Sequence, residues 1–172
     1  MNAKLKKKLK KIKLLAMDFD GVHTDGRVYV DQNGKETVVC SRLDGMGLEL
    51  LRRLTDVKAC VISKEVNPVV TARCNKLKLH CHQGVDKADH KRKILDRVIQ
   101  EHGITREEVI FMGDDVQDLG ALEHAGLAVA VANARPEVKV VADYVTIASG
   151  GNGAIREVCD LILEARGIQK KI

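Results

Sequence analysis

The chain is 172 residues long, enough for one domain with a substantial core, and its 45% hydrophobic and 31% charged residues are ordinary for a soluble protein. No apolar run approaches the length that crosses a bilayer, and no signal-peptide pattern is present, so no membrane partner is expected. The net charge of +5 is local: seven lysines fall within the first thirteen residues, and without them 22 basic residues face 24 acidic ones, a net of −2.

That near-neutral body and the scarcity of aromatic side chains argue against nucleic-acid binding. Residues 1–13 read as a basic tail or solvated leader helix, in which Leu5, Leu9 and Ile12 at helical spacing offer one apolar face to the body or a neighbouring subunit. The domain proper is read as residues 14–168. The five cysteines are an odd number without CxxC spacing, which predicts buried thiols in a reducing, cytoplasmic setting rather than disulfides.

In chain order, Leu14 to Met17 is a continuous apolar run that stops at Asp18-Phe19-Asp20-Gly21. Such a run predicts a strand covered on both faces of a parallel sheet. Side chains alternate along a strand, so Asp18 and Asp20 point to the same side where it ends, and Gly21 permits a sharp turn. Two β-rich runs, 27–30 and 37–40, flank Asn33-Gly34 and predict a hairpin. A helix is predicted over 44–54, then a second buried strand over 57–62 ending at Ser63. Asn67-Pro68 is a cap and first-turn pair for a helix to about Leu77. A weaker strand over 78–82 precedes a helix over 89–102 with Ile94, Leu95, Val98 and Ile99 on one face, stopped by Gly103. The strand over 109–112 runs into Gly113-Asp114-Asp115. A helix through Leu119 and Leu122, a strand over 127–131, a short helix opened by Pro136 and a strand over 144–146 follow. After Gly150-Gly151-Asn152-Gly153 an amphipathic helix completes the chain. Strands alternating with helices predict an α/β, doubly wound parallel sheet with right-handed crossovers.

The chemistry collects at strand ends. Asp18 and Asp20, Ser63, and Asp114 with Asp115 converge on one edge of such a sheet, where open α/β folds bind ligands. Clustered carboxylates repel unless a cation joins them, and an all-oxygen donor set suits Mg²⁺. A lysine near the start of the helix from Asp89 adds positive charge. Carboxylate, hydroxyl, lysine and Mg²⁺ together describe phosphoryl transfer. Helix capping accounts for Asp114 or Asp115 singly but not for both acidic motifs together. His80, Cys81 and His82 invite a zinc reading, but strand alternation separates the cysteine from both histidines.

The motifs DxDGVxTDG, a serine at the second strand end, a helix-borne lysine and Gly113-Asp114-Asp115-Val116-Gln117-Asp118 resemble those of the haloacid dehalogenase-like phosphatases over essentially the whole chain after the lysine tail. The resemblance implies a Rossmann-like core in which Asp18 is the nucleophile and Asp20 the acid/base. Ser63 then hydrogen-bonds the phosphoryl group. It implies Mg²⁺ held by Asp18, the Asp20 carbonyl oxygen and Asp114. The motif lysine is Lys91, which stands 22 residues before Gly113, with Lys87 as the alternative.

Only a hairpin fills the gap where many relatives carry a cap domain, so a neighbouring subunit is expected to complete the site. That resembles small, tetrameric, capless sugar-acid phosphatases acting on 3-deoxy-D-manno-octulosonate (KDO) 8-phosphate or on nine-carbon nonulosonate 9-phosphates. Glu65 and Lys76 resemble the nine-carbon branch. Asp44, in Leu43-Asp44-Gly45-Met46-Gly47, and Arg156, after the glycine-rich segment, are further substrate-side candidates. The alternative function is a non-catalytic oligomerisation domain like the phosphatase-like tail of acylneuraminate cytidylyltransferases. The presence of Asp18, Asp20 and Asp114 favours catalysis.

Overall fold

The computed structural model describes residues 1–84 and 88–170. The chain opens with α1 (Ala3–Lys11), β1 (Leu14–Met17) and a hairpin of β2 (Tyr29–Val30) and β3 (Glu36–Thr37). It continues through α2 (Arg42–Leu54), β4 (Lys58–Ile62), α3 (Pro68–Leu77), β5 (His80–His82) and α4 (Ala88–Glu101). The last part holds β6 (Val109–Gly113), α5 (Leu119–His124), β7 (Leu127–Ala130), α6 (Pro136–Val141), β8 (Tyr144–Val145) and α7 (Ala154–Ala165).

Six strands form one parallel sheet in the order β5-β4-β1-β6-β7-β8. β1, β6 and β7 are buried at every position, the burial that their unbroken apolar runs predict. Helices α1, α2 and α7 form one packed group, and α4, α5 and α6 another. The doubly wound α/β fold expected from the alternation is the fold observed. Between β1 and α2 the chain holds only the hairpin, and among the described residues only α3, β5 and α4 lie between β4 and β6.

Element ends differ from the sequence reading for local reasons. α2 starts two residues early because the Ser41 side chain accepts the Leu43 amide and caps it. β5 starts late because Lys78 adopts a left-handed conformation (φ 58°) that closes α3, and the Leu79 amide bonds back to the Cys74 carbonyl. The hairpin is shorter than read: Asp31 Oδ1 accepts the Asn33 and Lys35 amides at 2.8 and 2.9 Å, drawing 31–35 into a loop.

The lysine-rich segment is helical, capped by the Asn2 side chain on the Leu5 amide. Its Leu9 and Ile12 are buried against the body, and α1 touches α7. Lys8 reaches Asp143 at 2.8 Å and Lys13 reaches Glu108 at 2.7 Å, while Lys4, Lys6, Lys7, Lys10 and Lys11 face solvent. Replacing Leu9 by Ala is expected to cost about 2–5 kcal/mol, a fall in Tm of roughly 5–15 °C for a chain of this size. Lys7→Ala should stay within about 0.5 kcal/mol. Calorimetry of the two variants checks whether α1 is part of the cooperative unit.

Candidate active site

Parallel pairing with Met17 opposite both Val61 and Met112 sets the carboxyl ends of β1, β4 and β6 side by side. Asp18 follows β1, its amide bonded to the Met112 carbonyl at 2.9 Å, and Ser63 follows β4, its amide on the His82 carbonyl at 2.8 Å. Asp18 is 1% exposed. Its Oδ1 accepts the Phe19 amide at 2.7 Å, and its Oδ2 lies 2.8 Å from the Lys91 ammonium. Lys91 projects from α4 and is itself buried; Nζ also donates to Asp118 Oδ1 at 2.7 Å. Asp118 Oδ2 in turn accepts the amides of Asp114 at 3.0 Å and Asp115 at 3.3 Å. One buried cation therefore joins the ends of β1 and β6.

Two glycines leave room for these carboxylates. A Cβ on Gly21, whose φ is +79°, would stand 2.0 Å from Asp114 Oδ2, and one on Gly113 would stand 2.6 Å from Asp118 Cβ. A cleft of about 320 Å³ opens above, lined by Asp18, Asp20, Ser63, Lys64, Glu65 and Gln117, among others. Gln117 Nε2 is 3.5 Å from Asp18 Oδ2. Ser63 Oγ accepts the Glu65 amide at 3.1 Å, and Glu65 Oε1 accepts the amides of Val66 and Asn67 at 2.7 and 2.8 Å.

Asp18, Asp20 and Asp114 hold their protons more tightly than free carboxylates do. Burial, then the charge of Asp118, pushes Asp18 up to about 8 against the pull of Lys91. Burial and the charges of Asp118 and Asp115 push Asp114 up to about 7. Asp20 is raised first by burial and next by Glu65. Oxygens of Asp18, Asp114 and Asp118 lie within 4.8 Å of one another, and Asp114 Oδ1 is buried without a hydrogen-bond partner. Three carboxylates against one ammonium, all-oxygen donors and an orphaned acceptor fit a hard divalent cation such as Mg²⁺. Asp118 belongs to this group, with Oδ1 on Lys91 and Oδ2 on two amides; Asp18 also has both oxygens engaged, and Asp114 is the member with an oxygen left unpartnered.

Asp18, Asp20, Ser63, Lys91 and Asp114 thus come together, and Glu65 stands at the cleft wall. Lys87 lies outside the described residues. Three substrate-side candidates lie elsewhere. Asp44 is buried and accepts the amides of Gly153 and Arg156 at 3.3 and 2.9 Å, so it caps α7. Arg156 pairs with Asp160 one helical turn on, at 3.0 Å. Lys76 is exposed on α3 and does not line the cleft. Asp118 carried a signal in the sequence, as the last acid of the second motif, but no role was read for it.

A model of the haloacid dehalogenase-like hydrolase family matches residues 55–157. The 3-deoxy-D-manno-octulosonate 8-phosphate phosphatase KdsC of Escherichia coli (strain B / BL21-DE3) is 37% identical over 168 residues, covering 97% of this chain and 87% of that protein. KdsC of Haemophilus influenzae is 34% identical over 95% of this chain and 89% of its own length. Among solved structures, the Moraxella catarrhalis 3-deoxy-D-manno-octulosonate 8-phosphate phosphatase, a complex with magnesium ion, phosphate ion and KDO, superposes with a TM-score of 0.91. It is 35% identical and covers 97% of this chain and 94% of that one.

Acids whose pKa is raised on folding contribute stability that is full below their ordinary range near 4 and is lost as pH rises through about 7 and 8. A cation must displace those protons. Mg²⁺ at about a hundredfold over its Kd should therefore raise Tm by roughly 5–10 °C at pH 8.5. The shift should be under half that at pH 6. Thermal scans in Mg²⁺ and in EDTA at both pH values check this.

Proposed function

The chain belongs to the haloacid dehalogenase-like hydrolases and is a phosphatase, and on that premise we propose that it hydrolyses the phosphate monoester of a 2-keto-3-deoxy sugar acid through an aspartyl-phosphate on Asp18. The observation that carries the reading is the Asp18–Lys91–Asp118 bridge beneath a cleft that Asp20 and Ser63 also line.

In the first step the Asp18 carboxylate attacks phosphorus, and the bond from phosphorus to the sugar oxygen breaks. Asp20, raised by burial and by Glu65, gives its proton to the departing oxygen. Asp20 then takes a proton from water as the water oxygen attacks phosphorus, the P–O bond of the Asp18 acyl phosphate breaks to return the carboxylate, and inorganic phosphate leaves. Lys91 cancels part of the charge between an anionic nucleophile and an anionic phosphate, and the Ser63 hydroxyl donates to a phosphoryl oxygen. Mg²⁺ held by Asp18, Asp114 and the Asp20 carbonyl supplies further charge neutralisation when bound.

The relatives support the eight-carbon substrate, KDO 8-phosphate. One residue favours the nine-carbon 9-phosphates instead: Glu65, whose carboxylate stands in the cleft wall. Phosphate release from both sugars, with Mg²⁺ and with EDTA, separates the readings. Asp18→Asn should abolish release by about 10⁴-fold or more, and Asp20→Asn should cost roughly 10²–10⁴-fold. Release from neither sugar by a folded, Mg²⁺-binding protein overturns the proposal.

Self-association, as a tetramer, is part of the same proposal. Among the described residues no domain caps the cleft, and the hairpin beside it exposes Val28, Tyr29, Val30 and Val39, each more than half accessible. An isolated two-stranded hairpin with apolar side chains in water is marginal by itself. Tyr29→Asp with Val30→Asp should convert the assembly to monomers by light scattering while leaving the far-UV CD spectrum intact. Catalytic efficiency should fall with it.

A further inference from the structure

A cavity of about 400 Å³ lies at the β5 edge of the sheet, where α2, α3 and α4 approach β4 and β5. It exists because the edge strand is short. β5 pairs with β4 only from Cys60 onward, opposite His80, so Lys58 and Ala59 face no residue of β5. No acid of the candidate metal group lines this space, and no step of the proposed mechanism uses it.

The floor is apolar. Leu51, Val57, Cys60 and Val98 form it, all nearly inaccessible. The rim has the opposite character: Arg52, Lys58 and Lys78 reach the opening with His80, His82 and His102, and Glu101 is the one acid among the lining residues. Arg52 is engaged by Glu49 at 2.6 Å, whose carboxylate also feels Lys78. Lys58 has no side-chain partner among the described residues. An apolar floor favours an apolar body, which gains by leaving water, and the surplus of positive charge at the mouth favours an anionic end. The volume falls within the range of small-molecule sites, roughly 300–1,000 Å³. A free sugar phosphate fits poorly, because its hydroxyls would lose hydrogen bonds against this floor.

We propose that this cavity is a second ligand site, taking a small organic anion with a one- or two-ring apolar body whose acidic group pairs with Lys58. The site is physically joined to the catalytic one. Cys60 in its floor and Ser63 in the phosphoryl cleft follow one another along β4 and its end.

The probe is 5-(dimethylamino)naphthalene-1-sulfonate, an environment-sensitive fluorophore with a two-ring apolar body and one sulfonate. It is titrated into the folded, Mg²⁺-loaded protein, with binding followed by fluorescence and located by amide shifts in ¹⁵N-labelled protein. Saturable binding with shifts at Ala59, Leu79 and Val98 is expected. Lys58→Glu, which reverses the mouth, and Ala59→Leu, which fills the space, should each weaken it by about tenfold or more. Unchanged phosphatase activity reports that both variants are folded. Shifts confined to Tyr29 and Val30 of the hairpin overturn the proposal, as does an affinity within about twofold of the parent in both variants. So does the lack of saturable binding up to about 1 mM probe.

Discussion

The buried Lys91 ammonium is the interaction on which the rest of the site depends. Burial by itself would drive its proton off, yet Asp18 and Asp118 together hold its pKa above the ordinary lysine value. Each carboxylate is in turn fixed by backbone amides, Asp18 by Phe19 and Asp118 by Asp114 and Asp115. The ammonium therefore ties α4 to the ends of β1 and β6 at once. A buried charge left without one partner costs about 3–5 kcal/mol, so this contact helps hold the carboxyl edge of the sheet together. Three acids brought this close to one ammonium do not all ionise readily, so Asp18 and Asp114 keep protons that a divalent cation would displace.

Close approach of carboxylates needs backbone clearance, and the last third of the chain supplies part of it. Gly150 lies so close to the Gly21 carbonyl that a Cβ would overlap it, and the Gly151 amide donates to the Val22 carbonyl at 3.0 Å. Gly153, at φ +101°, opens α7, whose first amides are capped by Asp44 from α2. The glycine-rich segment is thus a buttress for the loop after Asp18. Asp44 and Arg156 owe their place beside it to that support, which explains why a motif so near the site brings neither side chain into the cleft.

What was legible in the sequence follows from where a residue's environment is periodic or terminal. Buried parallel strands announce themselves as unbroken apolar runs, and Asp18, Asp20, Ser63 and Asp114 were legible as a converging set because each stands where such a run stops. Lys91 was legible through its helix, since Ile94, Leu95 and Val98 mark the face that turns inward. Asp118 was not, because its position depends on a single 3-10 turn over Val116–Asp118 that folds it back on its own motif. The hairpin was over-read, because β-branched residues at Val28 and Val39 signal strand whether they pair or wait for a partner. The capping role of Asp44 was not legible for a related reason: an acid that caps a helix 109 residues away leaves no local pattern.

The two halves of the cleft are held by different means. The acids are fixed by the sheet, by Lys91 and by glycine clearance, so every one of them is constrained by elements from across the fold. Residues 63–67, by contrast, form one loop held by short bonds of its own and by a few contacts to β5, its end and the hairpin. Gln83 donates to the carbonyls of Glu65 and Asn67, and the Asn67 amide nitrogen reaches Glu36 of the hairpin at 3.0 Å. Lys64 and Glu65 are the side chains this loop presents to the cleft. Changes there disturb few other contacts, whereas a change among the acids disturbs the core. The acids are therefore tied into the core, whereas Lys64 and Glu65 rest on a loop anchored at the end of β5 and at the hairpin.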